Sequence, residues 1–103
     1  MNAMPDESAT ELHDLILFVA GDAPRSRRAR SNLEAALQAA GLDGHWPREI
    51  DVLSAPGEAI RFGMFATPAL LRTDSFGQES VLYGDLSDDA ALQRYLDGLA
   101  ATS

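Results

Sequence analysis

The chain of 103 residues contains no cysteine and no lysine. The missing cysteines exclude thiol redox chemistry and disulfide bonds, which fits a cytoplasmic protein. Sixteen acidic residues against eight arginines give a net charge of −8, and this argues against nucleic-acid binding, which needs a clustered positive surface. No apolar run approaches the roughly 18 residues of a membrane span, and the first dozen residues lack the pattern of a secretory signal. We therefore expect a cytoplasmic protein with no nucleic-acid or membrane partner.

The sequence also lacks the motifs of common enzyme classes. It has no phosphate-binding loop, dinucleotide fingerprint or nucleophile elbow. His13 and His45 are the only histidines, and they are not in a metal-ligand spacing. Ser26 at a helix start has no nearby base in sequence, so a polar first-turn residue is the favoured interpretation. We predict a protein that is not an enzyme and has no catalytic residue, metal or cofactor.

Apolar periodicity and turn residues divide the chain into seven elements. Residues 1–13 are polar and acidic, and predict a flexible N-terminal tail. Six successive apolar residues from Leu15 to Ala20 predict a strand buried on both faces. The other elements are a helix from Pro24 to Gly41, strands at 46–52, 69–72 and 78–83, a short helix at 57–64, and a last helix capped by Ser87 with a buried stripe of Leu92, Tyr95, Leu96 and Leu99. These elements predict one domain over residues 14–100 and a C-terminal tail at 101–103.

The order β-α-β-α-β-β-α is that of a minimal thioredoxin-like α/β domain. The helix between the first two strands predicts a parallel pair. Thr67-Pro68 opens the third strand, where a proline marks an edge or a special bend, and we predict the cis-proline of the thioredoxin-like fold. A ferredoxin-like βαββαβ order is the runner-up, but it needs a strand where the last helix signals lie. A thioredoxin-like scaffold without thiols is expected to bind rather than to catalyse.

The first turns of the first helix hold half of the positive charge of the chain. This is the unfavourable end of a helix for cations. One interpretation is a solvated face that the acidic excess partly neutralises. The other is a docking patch for carboxylates on a partner, which suits the planar guanidinium group. The patch consists of Arg25, Arg27, Arg28 and Arg30.

Four segments resemble the KaiB family, in the same order and at matching separations. The family typically reads V-A-G-N-T-P-N-S, I-D-V-L-x-x-P, A-T-P-T-L and G-D-L-S at these places. This chain reads V-A-G-D-A-P-R-S at 19–26, I-D-V-L at 50–53 followed by Pro56, A-T-P-A-L at 66–70 and G-D-L-S at 84–87. The resemblance covers residues 15–99.

The resemblance implies a non-enzymatic clock or signalling component that binds the hexameric RecA-like ATPase KaiC. Family members adopt a tetramer-forming ground-state fold and a thioredoxin-like state that docks on the ATPase. The ground-state fold is therefore possible here, as are a monomer, a dimer and a tetramer. The matching positions add Arg48 to the arginine patch as a partner-binding candidate. They also give a set of fold-determining candidates, which are Pro68, Gly84, Asp85, Tyr95 and Asp97, with Tyr95 standing where the family has a glycine.

The chain also departs from the clock members of the family. Ile60-Arg61-Phe62 stands where they have an acidic run, and residues 74–77 replace a proline-rich stretch. Three functions stay open. The leading one is an adaptor that binds and modulates a KaiC-type ATPase in clock or stress signalling. The others are a free-standing relative of the KaiB-like sensor domain of a histidine kinase, and a thiol-free thioredoxin-like enzyme that uses Ser26.

Overall fold

The computed structural model describes residues 10–42, 44–64 and 66–102, with the side chains of 10–13 and 98–102 left aside. The elements follow the predicted order β-α-β-α-β-β-α. They are β1 (Thr10–Val19), α1 (Pro24–Ala39), β2 (His45–Asp51), α2 (Pro56–Arg61), β3 (Ala69–Thr73), β4 (Glu79–Tyr83) and α3 (Asp89–Thr102).

The four strands form one mixed sheet in the order β2-β1-β3-β4. β1 runs parallel to β2, as predicted, and antiparallel to β3, which is itself antiparallel to β4. In the register, Phe18 of β1 lies between Ile50 of β2 and Ala69 of β3. The ferredoxin-like alternative is wrong, because the last element is a helix and not a strand.

Apolar side chains cover both faces of the sheet. One cluster joins Leu15, Leu17 and Val19 of β1 to α1 and α3, through residues such as Leu33 and Leu92. The second cluster lies on the opposite face and contains Phe18, whose ring meets that of Phe62 edge-on with centroids 5.6 Å apart. Because the side chains of neighbouring β1 residues pack into different clusters, the prediction of a strand buried on both faces is confirmed.

Several element boundaries differ from the prediction. β1 begins at Thr10, so residues 10–13 of the predicted tail belong to the sheet, while residues 1–9 lie outside the described residues. α2 ends at Arg61 instead of residue 64, and α3 continues to Thr102, past the predicted domain end at 100. Leu99 of the predicted stripe lies outside the described side chains.

Asp88 and not Ser87 caps α3. The N–H of Ala91 donates to Oδ1 of Asp88 at 3.1 Å, and the helix begins at Asp89. The Ser87 N–H donates backwards to Oδ1 of Asp85 at 3.2 Å, so Ser87 belongs to the turn before the helix. The predicted cap is therefore wrong because the helix begins one residue later than a Ser87 cap requires.

The peptide bond between Thr67 and Pro68 is cis, as predicted, and Pro68 is buried. Its carbonyl accepts a hydrogen bond from the N–H of Gly84 at 3.0 Å. Among the described residues, the helices are too short or too polar to cross a membrane.

Candidate functional site

Four loops meet at one edge of the sheet. The carboxyl ends of the parallel strands β1 and β2 lie side by side, with Val19 paired to Asp51. β3 is antiparallel to β1, so it starts at this edge, and β4 ends there, with Ala69 paired to Tyr83. We call this region the loop edge, and it consists of residues 20–23, 52–55, 66–68 and 84–88.

Asp51 fixes the first two loops to each other. Its Oδ1 accepts hydrogen bonds from the N–H of Gly21 and from the N–H of Leu53, both at 2.9 Å. These N–H donors, Leu53 first and then Gly21, hold the pKa of the Asp51 carboxyl below its ordinary value. The charged carboxylate therefore positions Leu53, whose side chain is 71% exposed beside the start of α1.

The loop at 84–88 is anchored by α1. Nε of Arg28 donates to Oδ2 of Asp85 at 3.1 Å, and Nδ2 of Asn32 donates to the Asp85 carbonyl at 2.8 Å. Bonds from the Ser87 hydroxyl and from Arg28 lower the pKa of the Asp85 carboxyl. Asp85 thus couples the first half of α1 to the entry of α3, and its role as a fold-determining residue stays a prediction.

Two residues of this loop have left-handed backbone conformations. Gly84 has a φ of +103°, which favours a residue without a Cβ. Leu86 has a φ of +63° and a buried side chain, an uncommon combination for a branched residue. The burial of Leu86 in the α1–α3 cluster holds this turn in place.

The four arginines of α1 do not form one surface. Arg28 contacts Asp85, whereas Arg30 donates through Nε to Oε1 of Glu49 on β2 at 3.1 Å and through Nη2 to the Gly21 carbonyl at 3.2 Å. Arg25 lines a cavity of about 240 Å³ together with Tyr83 and the 84–88 loop. Arg27 is exposed, and no ion pair joins it to another described residue.

Arg48 lies apart from these four side chains. Its Nη2 approaches Oε1 of Glu58 on α2 at 3.6 Å, and Arg61 approaches the same oxygen at 3.7 Å. Asp97 is exposed on α3, and its carboxylate joins no ion pair within the described part of the chain. The predicted partner-binding residues therefore point to at least two separate sides of the domain.

The position of Ser26 does not suit a nucleophile. The side chain is 1% exposed, and its hydroxyl accepts a hydrogen bond from the N–H of Ala20 at 3.0 Å. Its oxygen therefore satisfies the backbone at the end of β1. Across 10–42, 44–64 and 66–102, no three His, Asp or Glu side chains gather as metal ligands would.

Sequence reasoning missed Leu53 of the loop edge and two residues that hold its loops, Asp51 and Asn32. The carboxylate of Asp51 accepts a hydrogen bond from the N–H two residues later, which is the turn that aspartate side chains commonly form. Leu53 is an apolar residue left exposed in a turn. Asn32 looks like an ordinary polar helix residue, and its bond to a carbonyl 53 positions away leaves no local signal.

No protein-family profile and no curated relative matches the chain. Solved structures do match its fold. The N-terminal domain of SasA from Synechococcus elongatus is 22% identical over 98% of this chain and 90% of that chain, with a TM-score of 0.65. Mitochondrial thioredoxin 3 from Saccharomyces cerevisiae is 20% identical over 87% of this chain and 94% of that chain, with a TM-score of 0.64. The chain therefore has a thioredoxin-like fold.

Proposed function

We propose that this chain is a non-enzymatic, KaiB-like adaptor that binds a KaiC-type ATPase through the loop edge and modulates it. One observation carries the proposal. The four segments that resemble the KaiB family, at 19–26, 50–53, 66–70 and 84–87, are distant in sequence, yet each contributes to this one edge. A shared set of segments gathered at one edge is what a common binding surface requires.

The chemistry of the loop edge supports binding over catalysis. In redox members of this fold the loop before α1 carries the reactive thiols, and here it contains none. The edge instead presents the exposed side chain of Leu53, with Arg27 exposed on the adjoining turn of α1. Exposed apolar side chains on a positioned loop are suited to a protein partner.

A second candidate is a free-standing relative of the KaiB-like sensor domain of a histidine kinase. The similarity in fold to the N-terminal domain of SasA over 98% of this chain supports it. Both candidates use the same surface for a protein partner, and they differ in which partner binds.

Binding to a purified hexameric KaiC-type ATPase tests the proposal. We expect the labelled chain to raise fluorescence anisotropy on mixing with the ATPase and to change its rate of ATP hydrolysis. Leu53→Ser should weaken binding by roughly tenfold, the loss of an interface anchor worth about 1.4 kcal/mol. The matched control is Phe76→Ser, because Phe76 is 90% exposed on the β3–β4 turn at the opposite end of the sheet.

Two results would contradict the adaptor proposal. If a histidine-kinase dimer binds and the ATPase does not, the second candidate is correct. If Leu53→Ser and Phe76→Ser weaken binding of the ATPase equally, the loop edge is not the contact surface.

A further inference from the structure

The outer strand β4 has backbone groups that no described residue uses. The N–H of Gly84 donates to the Pro68 carbonyl, and the N–H of Asp74 donates to the Gln78 carbonyl. These two bonds show which residue pairs of the β3–β4 ladder are hydrogen-bonded to each other. Because bonding pairs alternate in an antiparallel ladder, Ser80 and Leu82 face β3. The N–H and C=O groups of Glu79, Val81 and Tyr83 therefore point away from the sheet, and they make no hydrogen bond within the described residues.

The two edges of the sheet are protected differently. β2, on the opposite edge, contains Pro47 and the charged pair Arg48 and Glu49, features that discourage the addition of another strand. β4 contains no proline and only one charged residue, Glu79. Its side chains on one face include Val81 and the 59% exposed Tyr83. β4 is thus the edge strand to which another strand can add more readily.

The turn before β4 is rigid and presents an aromatic side chain. The N–H of Gly77 bonds to the Asp74 carbonyl at 3.0 Å, and Gly77 has a φ of +82°, the geometry of a three-residue hairpin with a bulge. Oδ1 of Asp74 also accepts from the N–H groups of Phe76 and Gln78 at 2.8 and 2.9 Å. Phe76 is held at this tip with 90% of its surface exposed.

Charge decides which chain can occupy this edge. Residues 74–89 contain five carboxylates, at positions 74, 79, 85, 88 and 89, and no basic residue. Arg28 neutralises Asp85 at the far end of β4, where Arg25 also lies beside Tyr83. Negative charge that no described ion pair neutralises is therefore found at the start of the strand, on Glu79. A second copy would bring two such acidic segments together. An extended segment with a basic residue opposite Glu79 would be attracted.

We propose that β4 is a docking edge for an extended, basic segment of a partner protein, which adds a fifth strand antiparallel to β4. The groups that bind it are the outward N–H and C=O of Glu79, Val81 and Tyr83, and the carboxylate of Glu79 selects a cation. This surface is distinct from the loop edge and does not depend on the proposed ATPase partner.

A synthetic peptide tests this edge directly. The probe Gly-Ile-Thr-Val-Thr-Lys aligns Ile, Val and Lys opposite Tyr83, Val81 and Glu79 in an antiparallel pair. At millimolar concentration it should slow amide hydrogen exchange at Glu79, Val81 and Tyr83, measured by NMR. Exchange at Ser80 and Leu82, whose N–H groups already face β3, should stay unchanged.

Methylated probes separate strand addition from other binding without altering the protein. N-methylation of the probe Val removes a donor that faces β4, and we expect it to abolish the protection. N-methylation of the first Thr of the probe, whose N–H faces away from β4, should leave the protection intact. Equal effects of the two methyl groups, or no protection by the parent probe, would overturn the proposal.

A charge exchange tests the selection for a cation. Glu79→Arg should weaken binding of the Lys probe by about two- to fivefold, the range for a cross-strand charge pair. A probe with Glu in place of Lys should bind the Glu79→Arg variant without that loss. Loss without recovery would overturn the role of Glu79. Leu53→Ser is the control, since it should not affect probe binding. A dimer of the free protein in which β4 amides are already protected would show that a second copy is the occupant, and would also overturn the proposal.

Discussion

The hydroxyl of Tyr95 on α3 donates to the carbonyl of Ser80 on β4 at 2.7 Å. The same hydroxyl lies 2.9 Å from the Leu70 carbonyl on β3, and Nη1 of Arg72 on β3 donates to the Tyr95 carbonyl at 2.8 Å. α3 is therefore tied to both strands of the hairpin through one residue. The role of Tyr95 as a fold-determining residue stays a prediction, and these contacts show how it can be tested.

Tyr95→Phe should lower the free energy of unfolding by about 1 kcal/mol, the usual value of one hydrogen bond. Only the hydroxyl is lost, and the ring still fills its place beside the core. Urea unfolding followed by circular dichroism measures the change. Tyr83→Phe is the matched control, because the Tyr83 hydroxyl is exposed and makes no bond to the described residues. An equal effect of the two variants would contradict the contribution of the Tyr95 hydroxyl.

High pH should remove the contribution of the Tyr95 hydroxyl. Burial raises the pKa of Tyr95 above its ordinary value of 10.0. A pKa raised in the folded state gives stability that is fully present below the unfolded pKa and is lost as the pH rises through the folded pKa. The difference in unfolding free energy between the parent chain and Tyr95→Phe should therefore be constant below pH 9 and shrink above about pH 10. A difference that grows with pH would contradict this assignment.

The arginines of α1 should respond differently to charge reversal. Arg27→Glu should change the unfolding free energy by within about 0.5 kcal/mol, because Arg27 is exposed and unpaired among the described residues. Arg28→Glu should destabilise the chain more than Arg27→Glu does, since it places a carboxylate against Asp85. Thermal unfolding compares the two variants. Identical melting temperatures would indicate that the Arg28–Asp85 pair contributes nothing to stability.

The titration of Asp85 should report on its two neighbours separately. The Ser87 hydroxyl and Arg28 both lower the pKa of this carboxyl. Ser87→Ala and Arg28→Gln should each raise that pKa, because each variant removes a group that favours the charged carboxylate. Carbon-13 NMR of the carboxyl gives the values. A pKa unaffected by Ser87→Ala would show that the hydroxyl does not bond to it in solution.

The free protein should rest in the thioredoxin-like fold. Tyr95 holds α3 against β3 and β4, Asp88 caps the helix, and Leu92 and Leu96 are fully buried. Backbone chemical shifts across residues 92–96 should be helical. Strand-like shifts there, or a dominant tetramer in the alternative fold, would contradict this prediction.

The fold could be read from the sequence because its signals are local. The apolar run at 15–20, Pro24 at the start of α1 and the turn residues between strands each predict an element from its own residues. The candidate site could be predicted only in part, because its contacts are distant in sequence. A helical wheel places Arg28 and Arg30 on α1, yet their partners Asp85 and Glu49 lie 57 and 19 positions away. The cap of α3 is hard to predict for a related reason, because Ser87, Asp88 and Asp89 are all good capping residues and the folded turn decides that Asp88 accepts the bond.

The burial of Ser26 bears on whether thiol chemistry could be introduced at this position of the fold. Ser26→Cys would place a sulfur where only 1% of the side chain surface reaches solvent, facing the end of β1. A thiol buried in such a place reacts poorly, because its thiolate is not solvated and no disulfide substrate can approach it. A cysteine at this position alone would therefore not suffice for thiol exchange. The start of α1 would first have to turn this side chain outward before a thiol at position 26 could attack a disulfide.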